Sequence, residues 1–197
     1  MKIIGLTGSI GMGKSFATAV LRGMGVPVHC SDEAVHELLG PDGAAVEAVA
    51  AVFPGVIDRR DNSIDRKALG ALVFGHDENR KKLEAVIHPL VVAAQQRFIA
   101  AQSQRREPLV VLDIPLLYET GADARVDKVI VVSAPGFIQR QRVMMRPGMT
   151  KEKFEAIRAT QMPDAEKRRR ADFVVQTGIG RACTRRALTR IIQQLKV

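Results

Sequence analysis

Residues 8–15 read Gly-Ser-Ile-Gly-Met-Gly-Lys-Ser and match the spacing G-x-x-x-x-G-K-[ST]. Such a loop needs a buried strand before it and a helix after it. The backbone can then approach an anion closely while its N–H groups converge at a helix N-terminus. Both neighbours are present: "KIIGLT" over Lys2–Thr7 is apolar, and "SFATAVLRGMG" from Ser15 has helical spacing. The pattern points to a triphosphate site built on residues 8–15, with Gly8, Gly11, Gly13, Lys14 and Ser15 in it. Lys14 would reach the β- and γ-phosphates and the Ser15 hydroxyl would help hold Mg²⁺.

The rest of the chain fits an α/β architecture, a parallel sheet sandwiched by helices. "VPVHC" (Val26–Cys30) reads as a second strand and "DEAVHELL" as the helix after it. "PLVVLDIPLL" and "DKVIVVSA" are dense apolar runs, as in strands covered on both faces. "ADFVVQT" reads as a last strand, and a closing amphipathic helix follows over Arg181–Lys196. Between 44 and 104 the strand signal fades. "AAVEAVAAVF", "DRKALGALVF" and a long run from Glu78 all read as helices, with Pro89 expected to kink or divide the last. This predicts a core over 1–40, 105–136 and 170–197, a helical insertion over 41–104, and a charged helical segment over 137–169.

Ligands of open parallel sheets bind beyond the carboxyl ends of the strands. The acids at such ends are Asp32 and Asp113. Asp113, inside "VVLDIP", has the place of an acid that orients Mg²⁺ directly or through water, or of a strand-end acid bonded to a loop. For Asp32, position alone leaves two roles open: a proton acceptor for a hydroxyl, or the N-cap of the helix, which Ser31 could supply equally well. Arg142 and Arg146 are spaced i, i+4, which predicts one helical face aimed at developing phosphoryl charge; the alternative is a solvated helix.

Thirty Lys and Arg against 21 Asp and Glu give a formal charge of +9, which favours an anionic partner. Two cysteines far apart, Cys30 and Cys183, make no disulfide framework. "MKIIGLTG" is too short for a secretory signal, and no apolar run approaches the roughly 18 residues of a membrane span. The expectation is a cytoplasmic chain without a membrane partner. Oligomeric state is not legible.

Taken together, "GLTGSIGMGKS", "SDEAVHELL", "LEAVIHPLV", "VVLDIPLLYETG", "RVMMRPGMT" and "ADFVVQTG" resemble the dephospho-CoA kinase family from end to end. "HPLV" followed by "LDIPLLYE" is more particular to that family than the glycine loop. The resemblance implies a P-loop NTPase-type core with a helical substrate-binding insertion and a lid. It also implies transfer of the γ-phosphoryl of ATP to the ribose 3′-hydroxyl of dephospho-CoA, with ATP and Mg²⁺ as donor and cofactor. Carried over by position, Asp32 matches the general base, Gly11, Met12, Gly13, Lys14, Ser15 and Phe16 match the ATP-phosphate segment, and Arg142 and Arg146 match lid arginines. Arg66, His88, Pro115, Leu116, Leu117, Tyr118 and Glu119 match acceptor-binding segments, and Gln161 and Lys167 match a lid region. Some positions depart from the family pattern. Cys30 stands where an acid is common, Ser9 where glycine is, Met12 where serine is, Phe16 where threonine is, and Pro147 where an acid is.

Two rivals are distinguishable. Another small-molecule kinase on this core, such as a nucleotide or shikimate kinase, would share the loop but not "HPL" with "DIPLLYE". A nucleic-acid-binding ATP switch would draw on the +9 charge, but the basic residues are scattered and aromatics for base stacking are few. No nucleic-acid partner is expected.

Overall fold

The computed structural model describes residues 1–73 and 75–196. The helix expected over "DRKALGALVF" therefore ends, for this description, before Phe74, and Val197 of the expected core likewise lies outside the described residues. In chain order the elements are β1 (Lys2–Thr7), α1 (Lys14–Gly23), β2 (Val28–Cys30), α2 (Ser31–Leu38), α3 (Val46–Val52), β3 (Ile57–Asp58), β4 (Ser63–Ile64), α4 (Arg66–Val73) and α5 (Asp77–Gln104). Then follow β5 (Leu109–Asp113), a 3₁₀ turn (Ala122–Arg125), β6 (Lys128–Ser133), α6 (Gly136–Met144), α7 (Lys151–Ala159), α8 (Asp164–Arg170), β7 (Phe173–Gln176) and α9 (Arg181–Lys196). The chain divides into two units, Met1–His29 with Gln102–Val197, and Cys30–Ala101.

The first unit is organised by a five-stranded sheet of order β2-β5-β1-β6-β7. β1 pairs with β5 and β6, and β6 with β7, all parallel. Every residue of β5 is buried, and all of β6 after Lys128. This is the continuous apolar signature of strands covered on both faces. Ile4, Leu6, Val111, Ile130 and Val132 pack with Leu21 of α1 and Leu188 and Ile192 of α9 into one core. At the sheet edge Asp172 accepts from Lys128 Nζ (2.7 Å) and from the Val129 amide (2.8 Å). Partial burial pushes this carboxyl up, but those two bonds outweigh it and hold it below the usual aspartate range. β1 lies between β5 and β6, so connections leave it in both directions. The open end of the sheet beside β1 is the switch point at which ligands of such folds bind.

The second unit has its own core, in which Val46, Val49, Phe53, Ile64, Leu69 and Ile87 are buried together. The three segments read as helices between 44 and 104 form α3, α4 and α5, and the stretch between α3 and α4 adds a small antiparallel hairpin of β3 and β4 that the sequence reading did not include. Two-residue strands carry too little alternation to register as a pattern. Of the two outcomes expected at Pro89, a kink or a division, the division does not occur, since α5 runs from Asp77 to Gln104 as one helix. Leu83, Val86, Ile87, Leu90 and Val91 pack on this core from both sides of the proline. That burial offsets the hydrogen bond the proline forfeits.

Candidate active site

Gly13 is the N-cap of α1 with φ of +89°, a left-handed conformation that an L side chain adopts only under strain. A Cβ there would also sit 2.9 Å from Thr177 Oγ1 and 3.3 Å from Arg142 Nη1. At Gly11, with φ of +76°, a Cβ would lie 2.6 Å from Val143 Cγ2 and 2.9 Å from the Gln139 carbonyl. The loop is thus pressed against α6 and the end of β7, and only glycine fits at these two positions. The first N–H groups of an α-helix have no acceptor within the helix, and those of α1 are the donors that the anion nest expected from the spacing would use.

Lys14 Nζ donates to Asp113 Oδ1 at 2.5 Å, and the Thr18 hydroxyl donates to Asp113 Oδ2 at 2.6 Å. Asp113 is 1 % exposed and sits at the carboxyl end of β5, register partner of Leu6 on β1. A buried carboxylate is stable there because a cation and a hydroxyl hold its two oxygens. Ser15 is exposed in the first turn of α1.

Arg142 Nη1 donates to Thr177 Oγ1 (3.0 Å) and Nη2 to the Thr177 carbonyl (2.8 Å). The Thr177 hydroxyl donates in turn to the Met12 carbonyl at 2.7 Å. Arg142 is therefore fixed beside the glycine loop. Arg146 does not share its helical face, since α6 ends at Met144 and Arg146 lies exposed in the bend beyond. Pro147 explains the early stop, because a residue before proline is driven out of the helical region. Met12 contributes only backbone to the loop: its side chain is 3 % exposed, in the core, and its Sδ accepts from the Ala134 amide at 3.1 Å. The Phe16 ring packs on the same core, with the Arg181 guanidinium 5.5 Å from its centroid.

The segment after β5 is a turn whose side chains split by role. Leu116 is 39 % exposed, whereas Leu117 is fully buried and would meet any Cβ added to Gly5. Tyr118 is 8 % exposed, and its phenol is pushed up to about 12 by burial above all, with Asp123 and Asp172 adding to it. The Pro115 carbonyl accepts from the Thr7 hydroxyl at 3.0 Å. Glu119 Oε1 accepts from the Met162 amide and from Lys167 Nζ, both at 2.8 Å, and the Lys167 side chain is completely buried. Leu117, Tyr118 and Glu119 thus brace the turn. Lys167→Met is expected to lower stability by about 2 kcal/mol, less than a fully buried pair costs when broken, because Glu119 keeps the Met162 amide. An unchanged urea midpoint would show that this pair does not hold the turn.

In the second unit, Asp32 occupies the first turn of α2 and is exposed. It is not the N-cap, and neither is Ser31. Cys30 holds that position without a side-chain cap bond, and Ser31 Oγ accepts from Gln95 Nε2 at 3.2 Å. Arg66 is exposed at the start of α4 and donates to the His36 carbonyl at 3.0 Å. His88 is exposed on α5 and does not break the helix.

The structure thus gathers Lys14, Asp113, Arg142 and the glycine loop. Thr18 and Thr177 complete that group although the sequence reading passed over them. The position of Thr177 at the end of the last apolar strand was the available signal.

The dephospho-CoA kinase family model matches residues 2–180. The chain belongs to the dephospho-CoA kinase family. A dephospho-CoA kinase of Paramagnetospirillum magneticum is 58% identical over 168 residues, 85% of this chain and 78% of the relative. The dephospho-CoA kinase of Mesorhizobium japonicum is 52% identical over 196 residues, covering 100% of this chain and 98% of the relative. A crystal structure of a Thermus thermophilus protein superposes with a TM-score of 0.82 at 36% identity, covering 98% of this chain and 96% of that one. Family membership excludes the rival kinases that share only the loop. No helix among the described residues is long and apolar enough to cross a membrane.

Proposed function

We propose that the chain transfers the γ-phosphoryl of ATP to the ribose 3′-hydroxyl of dephospho-CoA, giving coenzyme A and ADP, the last step of coenzyme A biosynthesis. Near-full-length identity to dephospho-CoA kinases carries this reading, and the grouping of Lys14, Asp113 and Arg142 around the glycine loop supports it.

In this mechanism the backbone N–H groups from Gly11 to Phe16 cradle the phosphates, and Lys14 moves from Asp113 onto the β- and γ-phosphates. Ser15 and Asp113 carry the oxygen donors that Mg²⁺ prefers and would hold the ion, directly or through water. The ion, when bound, neutralises charge on the β- and γ-phosphates. Asp32 takes the proton of the 3′-hydroxyl as its oxygen bonds to the γ-phosphorus and the bond to the ADP oxygen breaks. Arg142 and Arg146 stabilise the charge spread over the transferring group. We read 41–104 as the acceptor-binding region, with Arg66 and His88 on it. We read the exposed part of the 115–119 turn as contributing to acceptor binding, and 137–169 as the lid. The enzyme is read as cytoplasmic, acting on small molecules without nucleic acid or membrane. A formal charge of +9 suits two polyanionic substrates.

Product analysis after incubation with ATP, Mg²⁺ and dephospho-CoA is expected to give coenzyme A phosphorylated at the 3′-oxygen. Phosphorylation at another hydroxyl would refute the assigned acceptor position.

A further inference from the structure

Ile10, at the tip of the glycine loop, is held on both sides of its Cα by side-chain amides. Its N–H donates to Gln161 Oε1 at 2.9 Å, and its carbonyl accepts from Gln139 Nε2 at 2.8 Å. The two glutamines must present opposite ends, because a backbone N–H can only donate and a carbonyl only accept. Gln139 lies on α6 and is 5 % exposed, and its own carbonyl lies against Gly11. Gln161 lies between α7 and α8, and its neighbour Met162 is fixed by Glu119, itself paired with the buried Lys167. The two arms are therefore carried by separate elements, Gln139 by α6 and Gln161 by the segment between α7 and α8.

We infer that Gln139 and Gln161 are positioning residues that hold the phosphate loop in its anion-binding shape and couple that shape to the segment 137–169. They act through Ile10 rather than on a reacting atom. The inference rests on the reading of the loop as the ATP site, and its consequence is specific. Loosening Ile10 weakens use of ATP and leaves the acceptor's affinity alone.

The test compares methionine and glutamate at each position in the full chain. Gln161→Met deletes the acceptor at nearly constant length, whereas Gln161→Glu keeps an acceptor. Gln139→Met deletes the donor, and Gln139→Glu sets an acceptor against the Ile10 carbonyl. Exchange of the Ile10 amide, followed by NMR without nucleotide, is expected to accelerate about tenfold or more in Gln161→Met and to stay slow in Gln161→Glu. The KM for ATP is expected to rise about tenfold in Gln161→Met and Gln139→Met, the loss of one hydrogen bond, with the KM for dephospho-CoA within about twofold. Glutamate should be worse than methionine at 139. The double methionine variant should lose less than the product of the single losses, because both side chains act on one residue.

Unchanged Ile10 exchange in Gln161→Met, or a parallel rise in both KM values, would overturn the clamp. Should the buried Gln139 variants fail to fold, the half-buried Gln161 pair decides alone. A wild-type chain without ATP turnover would instead refute the ATP reading, while the exchange measurement would still judge the clamp.

Discussion

Lys14→Ala is expected to lower turnover by about 10²- to 10³-fold or more, the loss that follows removal of one preorganised charge from a transition state. The ammonium of this side chain pairs with Asp113, whose carboxylate is 1 % exposed. A bound triphosphate offers several negative oxygens to the same group. The substitution also strips Asp113 of its cation, leaving only the Thr18 hydroxyl of the two bonds described here. A buried carboxylate so treated is costly, so the melting temperature of the nucleotide-free variant is expected to fall as well. Full turnover in Lys14→Ala would remove the loop from the chemistry. A variant that is slow but unshifted in melting temperature would show that the Asp113 pair contributes little to folding.

Asp32→Asn is expected to lower turnover by about 10²- to 10⁴-fold, the range for loss of a general base, with ATP affinity retained. From sequence this aspartate had a structural alternative as helix N-cap. The structure removes it, since Cys30 is the cap residue and Asp32 falls within the first turn. An acid in that turn supports a helix by about 0.3–1 kcal/mol through the helix dipole, small beside the expected kinetic loss. A kinetic loss without a stability loss separates the base from a capping residue. A wild-type rate in single-turnover experiments would exclude Asp32 as the base.

Much of the first unit was legible because its signals are local and strong. The glycine loop, the two dense apolar strands and the amphipathic α9 each announce themselves within a dozen residues. The apolar pattern of α5 was legible too, but not its continuity through Pro89, which depends on packing that the sequence does not display. The β3–β4 hairpin was lost for want of length. Arg146 was misplaced on the face of α6 because the i, i+4 rule assumes a helix that Pro147 cuts short. At the site, Lys14 and Asp113 followed from motif and strand-end position. Thr18, Thr177 and the glutamine clamp on Ile10 did not, because each is a polar contact between segments far apart in the chain. No period or spacing encodes such contacts. The roles of Leu117, Tyr118 and Glu119 were hidden for a similar reason, since a quoted motif does not say which of its side chains face inward.

The most direct test of the central claim is ADP release by the purified chain with ATP and Mg²⁺, measured with and without dephospho-CoA. Strong stimulation by dephospho-CoA, with coenzyme A formed in equal amount to ADP, is the result expected. ATP binding without any stimulation by dephospho-CoA would contradict it.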